Sequence, residues 1–195
     1  MSQIIQVYKA EIQEDRIDAL VKQQKQVANF LKKRPGFLGN STFVIEKNSS
    51  KRTEDNFLSI LQFDSTTSFQ SALDALSAYS EHHSDLKSSD IFSGNLLSIK
   101  IYKSQGLTPH ELLPGTLLSM SSRVAEPGRA QELLDDFELM FRELAPIAGL
   151  RGWSFGSQND LSELIFGFAF WDDEASYRIS LPKNSSYELA LYRKI

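Results

Sequence analysis

One pattern runs through this chain twice. Arg16 and Arg129 stand 113 residues apart, as do Gly36 and Gly149, and Gly39 and Gly152. The run Ile60-Leu61-Gln62-Phe63-Asp64 returns as Phe168-Ala169-Phe170-Trp171-Asp172 at an offset of 108. Ile101-Tyr102-Lys103 matches Leu191-Tyr192-Arg193 at an offset of 90. Ordered self-similarity of this kind, with offsets that shrink along the chain, means one supersecondary unit used more than once, and each unit must bury a face against the other. The expected boundaries are residues 1–104 for the first unit, 105–115 for a linker with two Pro and two Gly nearby, and 116–195 for the second.

Each copy reads strand, helix, strand, strand, helix, strand. In the first, the strands are expected at Ile4–Glu11, Ser41–Glu46, Phe57–Phe63 and Leu96–Tyr102. A helix over Glu14–Arg34 carries apolar residues at Ile17, Leu20, Val21, Val27, Ala28 and Leu31, one stripe of an amphipathic helix. Pro35-Gly36 stops it. Asp64 is placed to cap a second helix with the stripe Phe69, Ala72, Leu73, Leu76 and Tyr79. In the second copy the strands are expected at Thr116–Val124, Trp153–Ser157, Glu163–Trp171 and Tyr187–Arg193. Its first helix, with Pro127 in the first turn, buries Leu133, Leu134, Phe137, Met140, Phe141 and Leu144. Its second helix is shortened, from a cap at Asp172 to about Leu181. The strand 163–171 is apolar on both faces: Leu164, Phe166, Phe168 and Phe170 point one way, Ile165, Gly167, Ala169 and Trp171 the other. Such a strand needs cover on both sides.

Composition narrows the functions. With no Cys there are no disulfides, thiol nucleophiles or thiolate metal sites. A net charge of −4 argues against phosphate-backbone binding, so no nucleic-acid partner is expected. No run reaches the roughly 18 apolar residues of a membrane span. The first residues do not read as a signal peptide, and the triplets at Asn40, Asn48 and Asn184 then read as chance. A cytoplasmic location is expected.

A βαββαβ unit is the ferredoxin-like split βαβ fold. Three features make the chain resemble the dimeric α/β-barrel superfamily, in particular the antibiotic biosynthesis monooxygenases. They are the helix stop Arg34-Pro35-Gly36-Phe37-Leu38-Gly39, the strand ends Phe63-Asp64-Ser65 and Trp171-Asp172-Asp173-Glu174-Ala175, and the endings Tyr102-Lys103 and Tyr192-Arg193. The resemblance implies an α+β protein: two tandem ferredoxin-like units packing sheet to sheet as an α/β barrel within one chain, with a further homodimer left open. It implies a cofactor-independent monooxygenase-like activity on a small aromatic or quinol-type molecule. The alternative is a non-enzymatic small-molecule-binding or regulatory module, or a degenerate tandem in which one half keeps a site.

Within that resemblance, Trp171, Tyr177, Arg178, Arg123 and His83 are candidate catalytic residues. Trp153, Phe168, Trp171, Ser119 and Ser121 are candidate substrate contacts. Small residues beside Trp171 leave room for either a packed helix or a ligand pocket. His83, with His82, sits near a helix end. Haem-degrading members of the superfamily carry a helical His, a Trp on the third strand and an Asn on the first. Here those strand positions hold Phe63 and Gln6, so haem is not expected, and His82-His83 reads equally as a solvated helix end. No cofactor and no metal site are expected. The acidic runs 132–136 and 172–174 read as a solubilising face and a helix start.

Overall fold

The computed structural model describes residues 3–46, 55–82, 94–181 and 189–195. The elements are β1 (Ile4–Ala10), α1 (Ile17–Leu31), β2 (Phe37–Ile45), β3 (Phe57–Phe63), α2 (Thr66–His82) and β4 (Asn95–Gly106), then β5 (Leu117–Val124), α3 (Ala130–Leu144), β6 (Leu150–Gln158), β7 (Leu161–Trp171), α4 (Glu174–Ser180) and β8 (Leu191–Lys194). The type and order of the elements are those expected. β4 runs on through Gly106 because its end pairs with β6. Pro127 lies in a turn with Gly128 before α3, which starts only at Ala130. His83, Asn48, Asn184 and Tyr187 lie outside the described residues.

The ladders of the two stretches match at several places. Ile4 faces Phe63 and Leu117 faces Trp171. β2 and β6 bulge at equivalent places, between Phe37 and Gly39 and between Leu150 and Gly152. Asp64 N–H donates to the Gly36 carbonyl and Asp172 N–H to that of Gly149. These aspartates therefore end strands, and the caps fall one residue later. Ser65 Oγ accepts from Ser68 N–H at 3.2 Å, and the Asp173 carboxylate from Ser176 N–H at 2.8 Å. Asp172 instead pairs with Arg151 at 2.5 Å.

Gly36 and Gly149 hold φ of +76° and +88° where each first helix turns into a strand. A Cβ at Gly149 would collide with Ser176 Oγ. Gly149→Ala is expected to cost about 1–2 kcal/mol for the left-handed backbone, plus the displacement of Ser176. Chemical denaturation should show a lower midpoint at unchanged slope. An unchanged midpoint would mean the turn relaxes freely.

The eight strands close into one barrel in the order β1-β3-β2-β8-β5-β7-β6-β4. Each half contributes four neighbouring strands, and the halves join along two antiparallel seams of unequal length. β4 pairs with β6 from Ile99 to Gly106, while β8 meets β2 only over Phe43–Ile45. Ile4 pairs with Lys100 and Leu117 with Arg193, so the last strands correspond at an offset of 93. The match at 90 is a coincidence of residue types. Tyr102 sits at a register shift and is 49% exposed, whereas Tyr192 is buried inside the barrel.

Two kinds of core follow from the strand period of two. The barrel interior is filled, with Ile5, Val7, Phe43, Ile60, Phe168 and Phe170 at its centre. The outer faces carry the helices. Over the second half, Phe137 and Phe141 of α3 pack on Trp153, Phe155, Ile165 and Ala169. Over the first half the apolar layer is split in two: Ile4, Leu31, Leu61, Phe63 and Phe69 at one end, and Tyr8, Ala10, Leu20 and Phe57 at the other.

Among the described residues, no helix is long and apolar enough to cross a membrane.

Candidate functional site

Several second-half candidates come together. Trp171 Nε1 donates to Ser119 Oγ at 3.0 Å, and the Trp171 ring meets Tyr177 edge-on at 6.0 Å. The Tyr177 hydroxyl accepts from Leu189 N–H at 2.7 Å. Trp153 stacks on Phe141 at 5.1 Å. A Cβ on Gly167 would come within 2.6 Å of the Phe137 ring. This layer is therefore packed with rings, and the room beside Trp171 is taken by helices. Phe168 points into the barrel, on the opposite face of β7 from Trp171, so the two cannot line one cleft. Arg178 pairs with Glu174 at the surface, Arg123 lies over the Phe137 ring at 5.7 Å, and Ser121 is half-buried.

The gap in the first half's apolar layer is filled by polar side chains. Gln6 is flanked on its face of β1 by Ile4 and Tyr8, Ser59 on β3 by Phe57 and Leu61, and Thr42 lies opposite Ser59 on β2. Gln24 comes down from the buried stripe of α1. All four are more than nine-tenths buried. Ser59 Oγ donates to Gln24 Oε1 at 2.9 Å. Among the described residues, the side chains of Gln6 and Thr42 make no hydrogen bond, and the Gln24 NH₂ meets no acceptor. None of these unpaired atoms is fully sealed, so solvent or a bound molecule can supply the missing bonds.

The ladder equivalences show how the halves have diverged. Gln24 and Ser59 occupy the places of Phe137 and Gly167; Thr42 that of Phe155; Gln6 that of Ser119. Where one half packs a ring on a glycine, the other hydrogen-bonds a glutamine to a serine. The sequence held the signal for Gln24: it falls four residues after Leu20 and four before Ala28, on an otherwise apolar stripe. A polar residue there is easily passed over as a flaw in the pattern.

A second polar cluster closes one end of the barrel. The connector turns over as a short 3-10 segment, Pro109–Glu111, and Leu112 plugs the interior. Lys194 Nζ donates to the carbonyls of Leu112 at 2.6 Å and Pro109 at 3.2 Å, and burial pulls its pKa below the ordinary lysine value. His110 Nδ1 lies 2.9 Å from Gln62 Oε1 and 3.0 Å from Thr108 Oγ1. The Thr108 hydroxyl proton goes to Glu111, which it and the Thr108 backbone N–H hold below the usual carboxylate range. The Gln62 amide nitrogen donates to Gln3. His110 must then carry its proton on Nδ1. Gln3, Gln62 and Thr108 also line a shallow cleft with about 240 Å³ of empty space, part of it open to solvent. Its enclosed part has room for about one water. Among the described residues, no group of three metal-ligating side chains occurs.

No protein-family model matches the chain, and no curated protein matches it in sequence. Solved structures do match in shape. A proposed monooxygenase of Fusobacterium nucleatum superposes with a TM-score of 0.67 at 13% identity, covering 99% of this chain and 91% of that one. An anthrone oxidase-like protein gives 0.62 at 12% identity over 100% and 91%. A chlorite dismutase of Candidatus Nitrospira defluvii gives 0.60 at 8% over 99% and 90%. The fold is that of the dimeric α/β-barrel proteins. At such identities the likeness carries the architecture alone. Phe63 keeps to that architecture's core, edge-on to Phe37 and Phe69, and offers no indole N–H.

Proposed function

We propose that this chain is a single-site, monooxygenase-like enzyme. It takes a small aromatic or quinol-type molecule between the sheet and α1 of the first half, while the second half serves as a scaffold. The observation that carries this is the buried row Gln6, Gln24, Thr42 and Ser59 between two apolar clusters. A flat molecule with a polar edge would complete the hydrogen bonds of the row and bury its rings against Tyr8 and Phe57 on one side and Leu61 on the other. The alternative second-half set around Trp171 is weakened by its solid packing.

The chemistry proposed needs no cofactor. An activated methylene such as that of anthrone gives a ketone when one O₂ is consumed, one oxygen atom entering the product and the other leaving as water. The protein would bind and orient the substrate and exclude water around its anion. A second reading, binding without turnover, is favoured by one fact: none of the four row residues titrates near neutral pH.

The test is oxygen uptake with anthrone as the probe, with ¹⁸O₂ labelling of the product. The expected result is uptake above the uncatalysed rate, falling at least tenfold in Gln6→Leu and Thr42→Val. Binding of anthrone without uptake would favour the binding module. Uptake lost instead in Ser119→Ala and Trp171→Phe, with the row variants active, would move the site to the second half.

A further inference from the structure

We infer that the mouth of the barrel holds a second binding site, which takes the amide group of a small neutral molecule such as a lactam. The site is the cleft between the connector and the long seam, and it is separate from the outer layer that holds the polar row. The repeat shows what this place accepts. Ser41 on β2 and Ser154 on β6 are equivalent in the ladders, opposite Ile60 and Phe168, so both side chains face the interior at the same end of the barrel. Ser41 Oγ donates to the Pro109 carbonyl, and Lys194 holds that carbonyl and the one of Leu112, so the connector lies over the short seam. Over the long seam Ile101 stands in the place of Lys194 and can hold no carbonyl. Ser154 is 6% exposed, and among the described residues its hydroxyl makes no hydrogen bond, although its oxygen is not sealed. One serine holds a peptide carbonyl, and its counterpart lines an open cleft.

The other walls suit the rest of an amide. Ser104 lies directly opposite Ser154 across the long seam, so each half supplies one hydroxyl. Gln62, 2% exposed, and Gln3 bring two primary amides to the same opening. A hydroxyl both donates and accepts, and a primary amide carries both functions. A ligand amide, with its own acceptor and N–H, is therefore matched whichever way these side chains are turned. Ile101, Leu107 and Phe170 form the apolar wall, and no ionisable side chain lines the cleft. A carboxylate or an ammonium would leave water there without a counter-charge. The enclosed part has room for about one water, which fits a single carbonyl oxygen, and the body of the ligand stays in the open part.

The experiment is nuclear magnetic resonance titration of the ¹⁵N-labelled full chain with 2-pyrrolidinone, and separately with cyclopentanecarboxylate, whose ring is the same size but carries a charge. The expected result is saturable shifts at Gln3, Gln62, Ser104 and Ser154 with the lactam, and none with the carboxylate. Ser154→Ala should weaken lactam binding about fivefold, the worth of one neutral hydrogen bond. Ser104→Phe, at an exposed position, should close the mouth and abolish binding. Ser154→Ala removes a hydroxyl without a partner, so its melting temperature should match the wild type, whereas Ser41→Ala should melt lower. No saturable shift, shifts unchanged in both variants, or shifts centred on Gln6 and Thr42 would each overturn the site. Equal binding of the carboxylate would overturn the neutral amide as its ligand.

Discussion

Phe168→Ala should destabilise the protein by about 3–5 kcal/mol, most of the stability an ordinary domain has. Phe168 has no exposed surface and lies at the centre of the barrel interior, between Met120 of β5 and Ser154 of β6 in the ladders. Both halves contribute to that interior, so no helix can shift to fill the space the ring leaves. The strands are bound to neighbours on both sides and cannot collapse inward without breaking ladder hydrogen bonds. The melting temperature should fall by roughly 10–15 °C, at about 2–4 °C per kcal/mol for a chain of this size. A fall of only a degree or two would show that the interior is loosely packed, and would reopen the barrel itself as a place for ligands.

Gly167→Val should cost up to about 3 kcal/mol by overpacking. The added Cβ alone would lie 2.6 Å from one Phe137 ring carbon and 3.1 Å from Phe141 Cζ, and both rings are already pressed against Trp153 and Phe155. The cost should shrink when Phe137 is also made Leu, because the clash is with that ring, and the double-mutant cycle should give a coupling of about 1 kcal/mol or more. The same change at the equivalent position, Ser59→Val, removes a hydroxyl in place of striking a ring. Its damage should come from leaving Gln24 without a partner, and Gln24→Leu should relieve it. If Phe137→Leu brings no relief, the second half is less tightly sealed than described, and the assignment of a single site to the first half weakens.

Much of the architecture could be read from residue types alone. β3 spans the expected Phe57–Phe63, and the alternation along 164–171 assigned each side chain to its correct face. These signals are local: period, turn residues and a repeated glycine spacing. The errors were local too, but had distant causes. The caps fell at Ser65 and Asp173 because the residues before them were drawn into ladders by Gly36 and Gly149. The final strands were aligned three residues out because their register is set by pairing with the first strand of the same half, far away in the chain. The candidate site was hardest to read. Trp171 and Trp153 drew notice because they are rare and large, yet they pack as core. Gln6, Gln24, Thr42 and Ser59 are common residues scattered over four elements, and only their meeting makes them notable.

By itself the sequence determined that two βαββαβ units follow one another, because hydrophobic period and turn chemistry act over a few residues. Only the tertiary structure decided how the units share their edges, and that decided the rest. Closure of the barrel through a long seam and a short one fills the interior with both halves' side chains. It leaves the two outer layers as the places where the halves could differ. One was sealed with rings on a glycine; the other kept a polar row. That difference depends on which side chains meet across strands and helices far apart in the chain, and no local pattern encodes it.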